Sequence, residues 1–509
     1  MRTSKILTAA QAVDLVRDGD AIVICGCENV LSPNTLLEAL GERFEATEHP
    51  RDLTEIHPII VGMGPGLGLE SLAHRGLVKR AIGSGFSYLK TSRYTQLLKD
   101  GAFEAHVVPM GTLYQMLSDT AAGKKFTLTK VGLGTFVDPV SEGGRLNDMT
   151  TTSLASRLEI DGEIYLKYPC MPVQIAFLRG TTADENGNIS LEQEPVSLGV
   201  KTLAMAVKNS GGQVIVQVSR LTQNGSLHPR MVEIPGIFVD AVVVDPEQPL
   251  SGGDRLNPAL TGQIRLPIGE IAPVPVGLER VVIARAADEI AQGDIVNLGV
   301  GMPIGIPKIL VERGQQARAT FFPEHGSVGG VPGDREIFGT NINPEAIIDS
   351  TQVFEFFRGG GLDISFLGFG QIDVAGNVNV SKFNGIIPGC GGFIDITHRT
   401  KRVVFCGSFA AGGVDIEIAN NRLNIRSEGA YPKFVNQVEQ VTFNGRQALI
   451  RQQSVLYVTE RAVFSLQEAG LVLEEIAPGI DLQTHVLDLI PFAVGVSANL
   501  KIMKPAYFS

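Results

Sequence analysis

The chain switches repeatedly between two hydropathy patterns. One is a short unbroken apolar run bounded by Asp and Gly, as in Asp20-Ala21-Ile22-Val23-Ile24-Cys25-Gly26. The other is a longer segment with apolar residues at helical spacing, as in Ala9-Ala10-Gln11-Ala12-Val13-Asp14-Leu15-Val16. A run without polar alternation predicts a strand buried on both faces, and an apolar stripe at helical period predicts a helix lying on it. Alternation of the two along the chain predicts an α/β fold with mostly parallel sheets covered on both sides, and ligands held by loops at the strand ends.

The pattern occurs twice. Asp18-Gly19-Asp20, a buried strand, a Gly-bearing loop, Pro33 and Leu36-Leu37-Glu38 match Gln292-Gly293-Asp294, a strand, Gly299-Val300-Gly301, Pro307 and Leu310-Val311-Glu312, all shifted by 274 residues. A second pair is shifted by 189 residues. Here Ile175-Ala176-Phe177-Leu178, followed by Asp184-Glu185-Asn186-Gly187-Asn188-Ile189, matches Ile364-Ser365-Phe366-Leu367, followed by Asp373-Val374-Ala375-Gly376-Asn377-Val378. In each, a strand enters a turn where Asp or Asn and Gly supply unusual backbone angles. Repeats this long predict duplicated domains, and 509 residues are too many for one core. Two related open α/β/α domains are expected, at 1–270 and 279–509, divided in the Pro- and Gly-interrupted segment 264–278, with a helix opening the second domain from Arg280.

Composition narrows the function. A net charge of −11 leaves no basic face for nucleic acid, so an anionic ligand must be held by local donors such as Gly-rich backbone amides or a few Lys and Arg. Cys25, Cys27, Cys170, Cys390 and Cys406 are an odd count in a long chain, which predicts buried free thiols and a reducing compartment. Cys25-Gly26-Cys27 has no His or second Cys pair near it in sequence, so no metal site is expected. Neither a signal peptide nor a membrane span is legible, and a cytoplasmic location without membrane partners is the expectation.

Three Gly-rich loops in the second half are the candidates for chemistry: Gly299-Val300-Gly301-Met302-Pro303, Glu324-His325-Gly326-Ser327-Val328-Gly329-Gly330 and Gly389-Cys390-Gly391-Gly392-Phe393. Each is expected to follow a buried strand, so that glycine lets the backbone approach a ligand and present its amides. The first-half runs 62–68 and 132–136 lack the spacing of a dinucleotide fingerprint.

These stretches, with Gly360-Gly361-Leu362-Asp363, Gly376-Asn377-Val378-Asn379-Val380-Ser381, Val404-Phe405-Cys406-Gly407 and the run 456–464, resemble the C-terminal half of family I CoA-transferases, most closely the short-chain acyl branch. Gly134-Thr135-Phe136-Val137-Asp138-Pro139 and the run 179–188 extend the resemblance to the first half. It implies an alpha-subunit-like domain followed by a beta-subunit-like domain that carries the catalytic glutamate. CoA would pass between short-chain carboxylic acids by a ping-pong route, with Glu324 as the covalent carrier. Gly389, Gly391 and Gly392 are the candidates for an oxyanion pocket or CoA contact, and His325, Gly301 and Gly26 for the pocket wall. Acyl-CoA and small acids would be the partners, CoA thioester a substrate with no permanently bound cofactor, and a homo-oligomer the assembly. The chain departs from the family at Cys25-Gly26-Cys27, where Gly-Gly-Phe is usual, and at His325, where Ser or Asn is usual. Lys382, Arg399, Lys401 and Arg402 are candidates for CoA phosphates, or simply exposed charges flanking strands. Two alternatives stand beside transfer: an acyl-CoA hydrolase on the same scaffold, and a ligand-sensing module without catalysis.

Overall fold

The computed structural model describes residues 4–62, 64, 66–86, 91–249, 256–267, 273–333 and 337–509. Residues 268–272 of the expected boundary, and 1–3, 63 and 65 of segments discussed above, lie outside the described residues.

In chain order, the strands of the first large sheet are β1 (Ile6–Leu7), β2 (Ala21–Ile24), β3 (Leu53–His57), β4 (Val78–Gly83), β5 (Glu104–Val107), β6 (Ile175–Arg179), β7 (Gln213–Val218) and β8 (Ala241–Val244). Their spatial order is β1-β8-β7-β6-β2-β3-β4-β5, and every pairing is parallel. The second large sheet holds β9 (Asp294–Leu298), β10 (Ala319–Phe321), β11 (Ile364–Gly368), β12 (Arg402–Cys406), β13 (Ser454–Val458), β14 (Ala462–Gln467), β15 (Gly470–Ile476) and β16 (Gly495–Ile502). Its order is β10-β9-β11-β12-β13-β14-β15-β16; β13 to β15 form an antiparallel meander at one end, and the remaining pairings are parallel. Ile22, Val23 and Ile24 are fully buried, the signature of a strand covered on both faces.

The sequence repeat is a repeat of strand pairing. In the first sheet Ile22 sits opposite Ile175, and in the second Val296 sits opposite Ile364. These are the same two positions carried along by the two sequence offsets. The hairpins that follow repeat as well. Asp184 accepts the amides of Asn186 and Asn188 and the side-chain amide of Asn188, and Asp373 does the same for Ala375 and Asn377. A buried carboxylate satisfying the turn's own donors explains why Asp and Asn recur at these places.

Helices cover the sheets. α1 (Ala9–Val13) starts from a Thr8–Gln11 capping box, and α2 (Asn34–Thr47) buries Leu36, Leu37, Leu40 and Phe44. The second half opens on a helix at Leu278, two residues before the sequence suggests. The helix α3 (Met110–Ala121) begins after Pro109 with no side-chain cap of its own. Its cap comes from the other half: the fully buried Asp395 accepts the Gly111 amide at 2.9 Å. Asp395 sits in α4 (Phe393–Arg399), directly after the third Gly-rich loop. A carboxylate at a helix start satisfies orphan donors and meets the positive end of the helix dipole. Asp395→Ala is therefore expected to destabilise the protein by about 1–2 kcal/mol in chemical denaturation, with Asp395→Asn, which keeps an acceptor, losing less.

Candidate active site

A cavity of about 560 Å3 lies where loops from the two sheets meet. Its walls leave the C-terminal ends of strands: Cys27 and Glu28 after β2, Ile59 and Ile60 after β3, Ser84 and Gly85 after β4, Gly299 and Val300 after β9, and Glu324 and His325 after β10. Open parallel sheets bind ligands at this edge, because the loops there are not committed to connecting neighbouring strands. Most of the wall is apolar.

Glu324 is only 7% exposed and lines the cavity. Its Oε2 accepts a hydrogen bond from the side-chain amide of Asn297 at 3.1 Å, and the same amide reaches the Phe322 carbonyl at 3.2 Å. Asn297 is fully buried in β9. Sequence reasoning gave it no role, although a lone Asn inside the apolar strand Asp294-Ile295-Val296-Asn297-Leu298 is a signal that a partner must exist.

His325 is 2% exposed, and burial lowers its pKa despite the Glu324 charge, so the ring is neutral. Its Nε2 lies 3.1 Å from Cys27 Sγ. The Cys27 thiol is pushed well up by burial and by the carboxylates of Glu28 and Glu324, so this is a contact between two neutral groups. The histidine that Cys25-Gly26-Cys27 lacks in sequence is thus supplied by the other half of the chain. Cys25 points elsewhere, toward the Leu31 carbonyl. Cys25, Cys27, Cys390 and Cys406 are buried, and Cys170 is the half-buried exception to the expectation.

The third loop departs from expectation in two ways. It does not follow a strand of the large sheet but opens α4, and most of its amides are already used. Cys390 and Gly391 both donate to the Ser84 carbonyl, at 2.9 and 2.8 Å, and Gly389 donates to Ser381 at 3.4 Å. Neither Gly389 nor Gly391 therefore has an amide to offer an oxyanion. All three glycines line the cavity, and of the three only the Gly392 amide has no acceptor among the described residues. Gly301 and Gly26 do not line the cavity. Val300 takes the place of the first. Gly26 packs behind the wall, where an added Cβ would sit 3.1 Å from Val61 and 3.3 Å from Ser32.

A family model described as coenzyme A transferase matches residues 6–245. The acetate CoA-transferase YdiF of Escherichia coli O157:H7 is 39% identical over 505 residues, which are 99% of this chain and 95% of that one. Caffeate CoA-transferase of Acetobacterium woodii is 40% identical, over 99% of this chain and 98% of its own length. The chain belongs to the CoA-transferase family. A crystal structure of the Escherichia coli O157:H7 acyl-CoA transferase YdiF as a thioester complex with CoA matches with a TM-score of 0.93 at 38% identity, covering 99% of this chain and 96% of that one.

In this CoA-transferase the basic residues picked from sequence are not at the cavity. Lys401 is paired with Asp363 and Arg402 with Asp294, at the N-terminal end of β12, the edge away from the site. Neither Lys382 nor Arg399 lines the cavity. Among the described residues the cation that does is Lys433, 4.8 Å above the Phe369 ring, with its pKa lowered to about 8 by burial. It follows Tyr431-Pro432 in a segment that carries no glycine motif, which is why the sequence did not single it out.

Below the Gly85 wall lies a buried pair, Glu55 and His57. His57 Nε2 is 2.8 Å from the Gly85 carbonyl, and Nδ1 is 2.8 and 2.9 Å from the two Glu55 oxygens. Carbonyl and carboxylate oxygens only accept, so both ring nitrogens carry protons and the ring is an imidazolium. Burial alone would lower its pKa; the adjacent Glu55 charge and hydrogen bond outweigh that and raise it. A raised histidine pKa contributes stability that is full below the ordinary value near 6.5 and is lost as pH climbs through the folded-state value. Thermal midpoints measured against pH should therefore fall on the alkaline side of 6.5, and His57→Asn should flatten that fall.

Proposed function

We propose that this CoA-transferase passes CoA between short-chain carboxylic acids by a ping-pong route in which Glu324 carries the activated bond. The observation that carries the reading is a buried carboxylate held by Asn297 at the floor of a cavity with largely apolar walls. Exchange between two acids must keep the thioester's energy out of water, and a side-chain carboxylate can store it. Glu324 attacks the acyl-CoA carbonyl and expels CoA thiolate, giving a mixed anhydride. The thiolate then attacks the glutamyl carbonyl, the donor acid leaves as carboxylate, and the enzyme holds a glutamyl-CoA thioester. The acceptor carboxylate runs these steps in reverse.

Asn297 engages one carboxyl oxygen and leaves the other free to attack. Its amide is then in place to meet the negative charge that builds on that oxygen when thiolate adds. The free Gly392 amide is the candidate donor for the oxyanion of the acyl carbonyl. Apolar walls from Ile59, Ile60, Met110, Phe338 and Leu367 exclude the water that would hydrolyse either intermediate. No proton has to be removed from a carboxylate nucleophile, so His325 is assigned to shaping the pocket through Cys27. Lys433 is the cation best placed for the anionic CoA handle, whose binding draws the reacting ends together. The relative solved as a thioester complex with CoA, alike over nearly the whole chain, supports the covalent route.

Steady-state kinetics with an acyl-CoA and a second acid should give parallel double-reciprocal lines, and CoA should not accumulate without an acceptor. Glu324→Gln should abolish exchange while the fold is retained by circular dichroism. Near-normal turnover by that variant, or steady release of free CoA without acceptor, would contradict the reading. Asn297→Ala should lower kcat by about 10²-fold, the usual cost of removing one donor from a developing oxyanion, with little change in KM.

A further inference from the structure

Glu28 stands directly after Cys25-Gly26-Cys27, and its side chain lines the same cavity as Glu324. Its backbone is in the left-handed region at φ 50°, a conformation glycine would adopt without strain. The main chain is fixed there from both sides: the Glu28 amide donates to Ile60 at 2.7 Å, and its carbonyl accepts from Gly62 at 2.5 Å. The side chain is thus held at the cavity wall by a tightly bonded loop.

What is missing is a partner for its carboxyl group. Among the described residues it has no hydrogen bond or ion pair, and burial, acting alone, pushes its pKa up to about 7. The residue is half-buried, and a carboxylate that has lost much of its water is normally paired. Among the described residues, the groups around it do not supply a cation. Cys27 and His325 are neutral, Glu324 is a second acid, and the Lys433 ammonium is held over the Phe369 ring. Cys27, which precedes Glu28, touches His325, which follows Glu324, so the two acids share one end of the cavity.

We propose that Glu28 is a specificity-determining residue that acts as counter-ion to an ammonium group borne by the acyl chain of the substrate. This rests on the reading of the Glu324 end as the acyl site. An acyl group carrying an ammonium near its carbonyl brings the missing partner, an aliphatic one leaves the carboxyl unpaired, and one with a second carboxylate adds a third negative charge.

The test compares β-alanyl-CoA with butyryl-CoA, whose acyl groups differ only by an ammonium in place of a methyl, with 3-hydroxypropionyl-CoA as an uncharged donor. Binding is measured by calorimetry on the full chain carrying Glu324→Gln, so that any remaining preference is not due to the Glu324 charge. The expected result is about tenfold tighter binding of β-alanyl-CoA than butyryl-CoA, with the hydroxyl compound between them. Adding Glu28→Gly, which suits the left-handed backbone, should bring the three within about twofold of one another. Glu28→Gln, which keeps the side chain's bulk, should remove the same preference. Equal affinities before Glu28 is changed, a preference that survives both substitutions, or a hydroxyl preference as large as the ammonium one would overturn the proposal. Failure of the Glu324 reading appears separately, as turnover by Glu324→Gln alone.

Discussion

The Ser84 carbonyl oxygen accepts the amides of both Cys390 and Gly391, and the cavity depends on that junction. It fastens the loop of the second half onto the end of β4 in the first. The approach is so close that a Cβ at Gly389 would lie 2.6 Å from the Ser84 oxygen, and Gly389 itself has a φ of 80°. Only glycine meets both demands. The junction continues on either side: Met110 donates to the Gly391 carbonyl, Phe86 donates to Pro388, and Asp395 caps α3. The glycines of this loop thus serve first to join the two halves, and the cavity lies at that joint.

That enclosure sets the conditions under which the proposed carrier, a carboxylate that is a weak nucleophile in water, would work. In a largely apolar cavity each remaining hydrogen bond counts for more than it would in solvent, and the acyl and thioester bonds of the proposed route would be kept from hydrolysis. Among the described residues, the polar groups beside Glu324 include the Asn297 amide, the neutral Cys27–His325 contact and Glu28. Beneath the wall, the buried Glu55–His57 pair braces the Gly85 carbonyl.

Much of this was legible in the residues. The apolar runs marked buried strands, and the two sequence offsets turned out to be the offsets of paired strands, because a duplicated strand must keep its register to keep its buried face. The Asp-x-Asn/Ala-Gly-Asn turns followed from local hydrogen bonding that needs no tertiary context. What sequence could not show was the traffic between halves. Gly391 reads as an oxyanion donor until its amide is seen bonded to Ser84, and Cys27 reads as an isolated thiol until His325 arrives from about 300 residues away. Lys401 and Arg402 read either as phosphate ligands or as charges flanking a strand, and β12 places them as the latter, paired with Asp363 and Asp294 at the opposite edge of the sheet. Glu28, Asn297 and Lys433 were passed over because their meaning lies in which cavity they face.

The claim on which the account turns is that the side chain of residue 324 becomes a thioester during turnover. The most direct measurement is to incubate the protein with acyl-CoA and no acceptor, reduce it with borohydride, and map the peptides by mass spectrometry. A thioester at Glu324 will appear as conversion of that one side chain from carboxyl to alcohol, dependent on acyl-CoA. An unmodified Glu324 in a preparation that actively exchanges CoA, or the alcohol at a different residue, would contradict it.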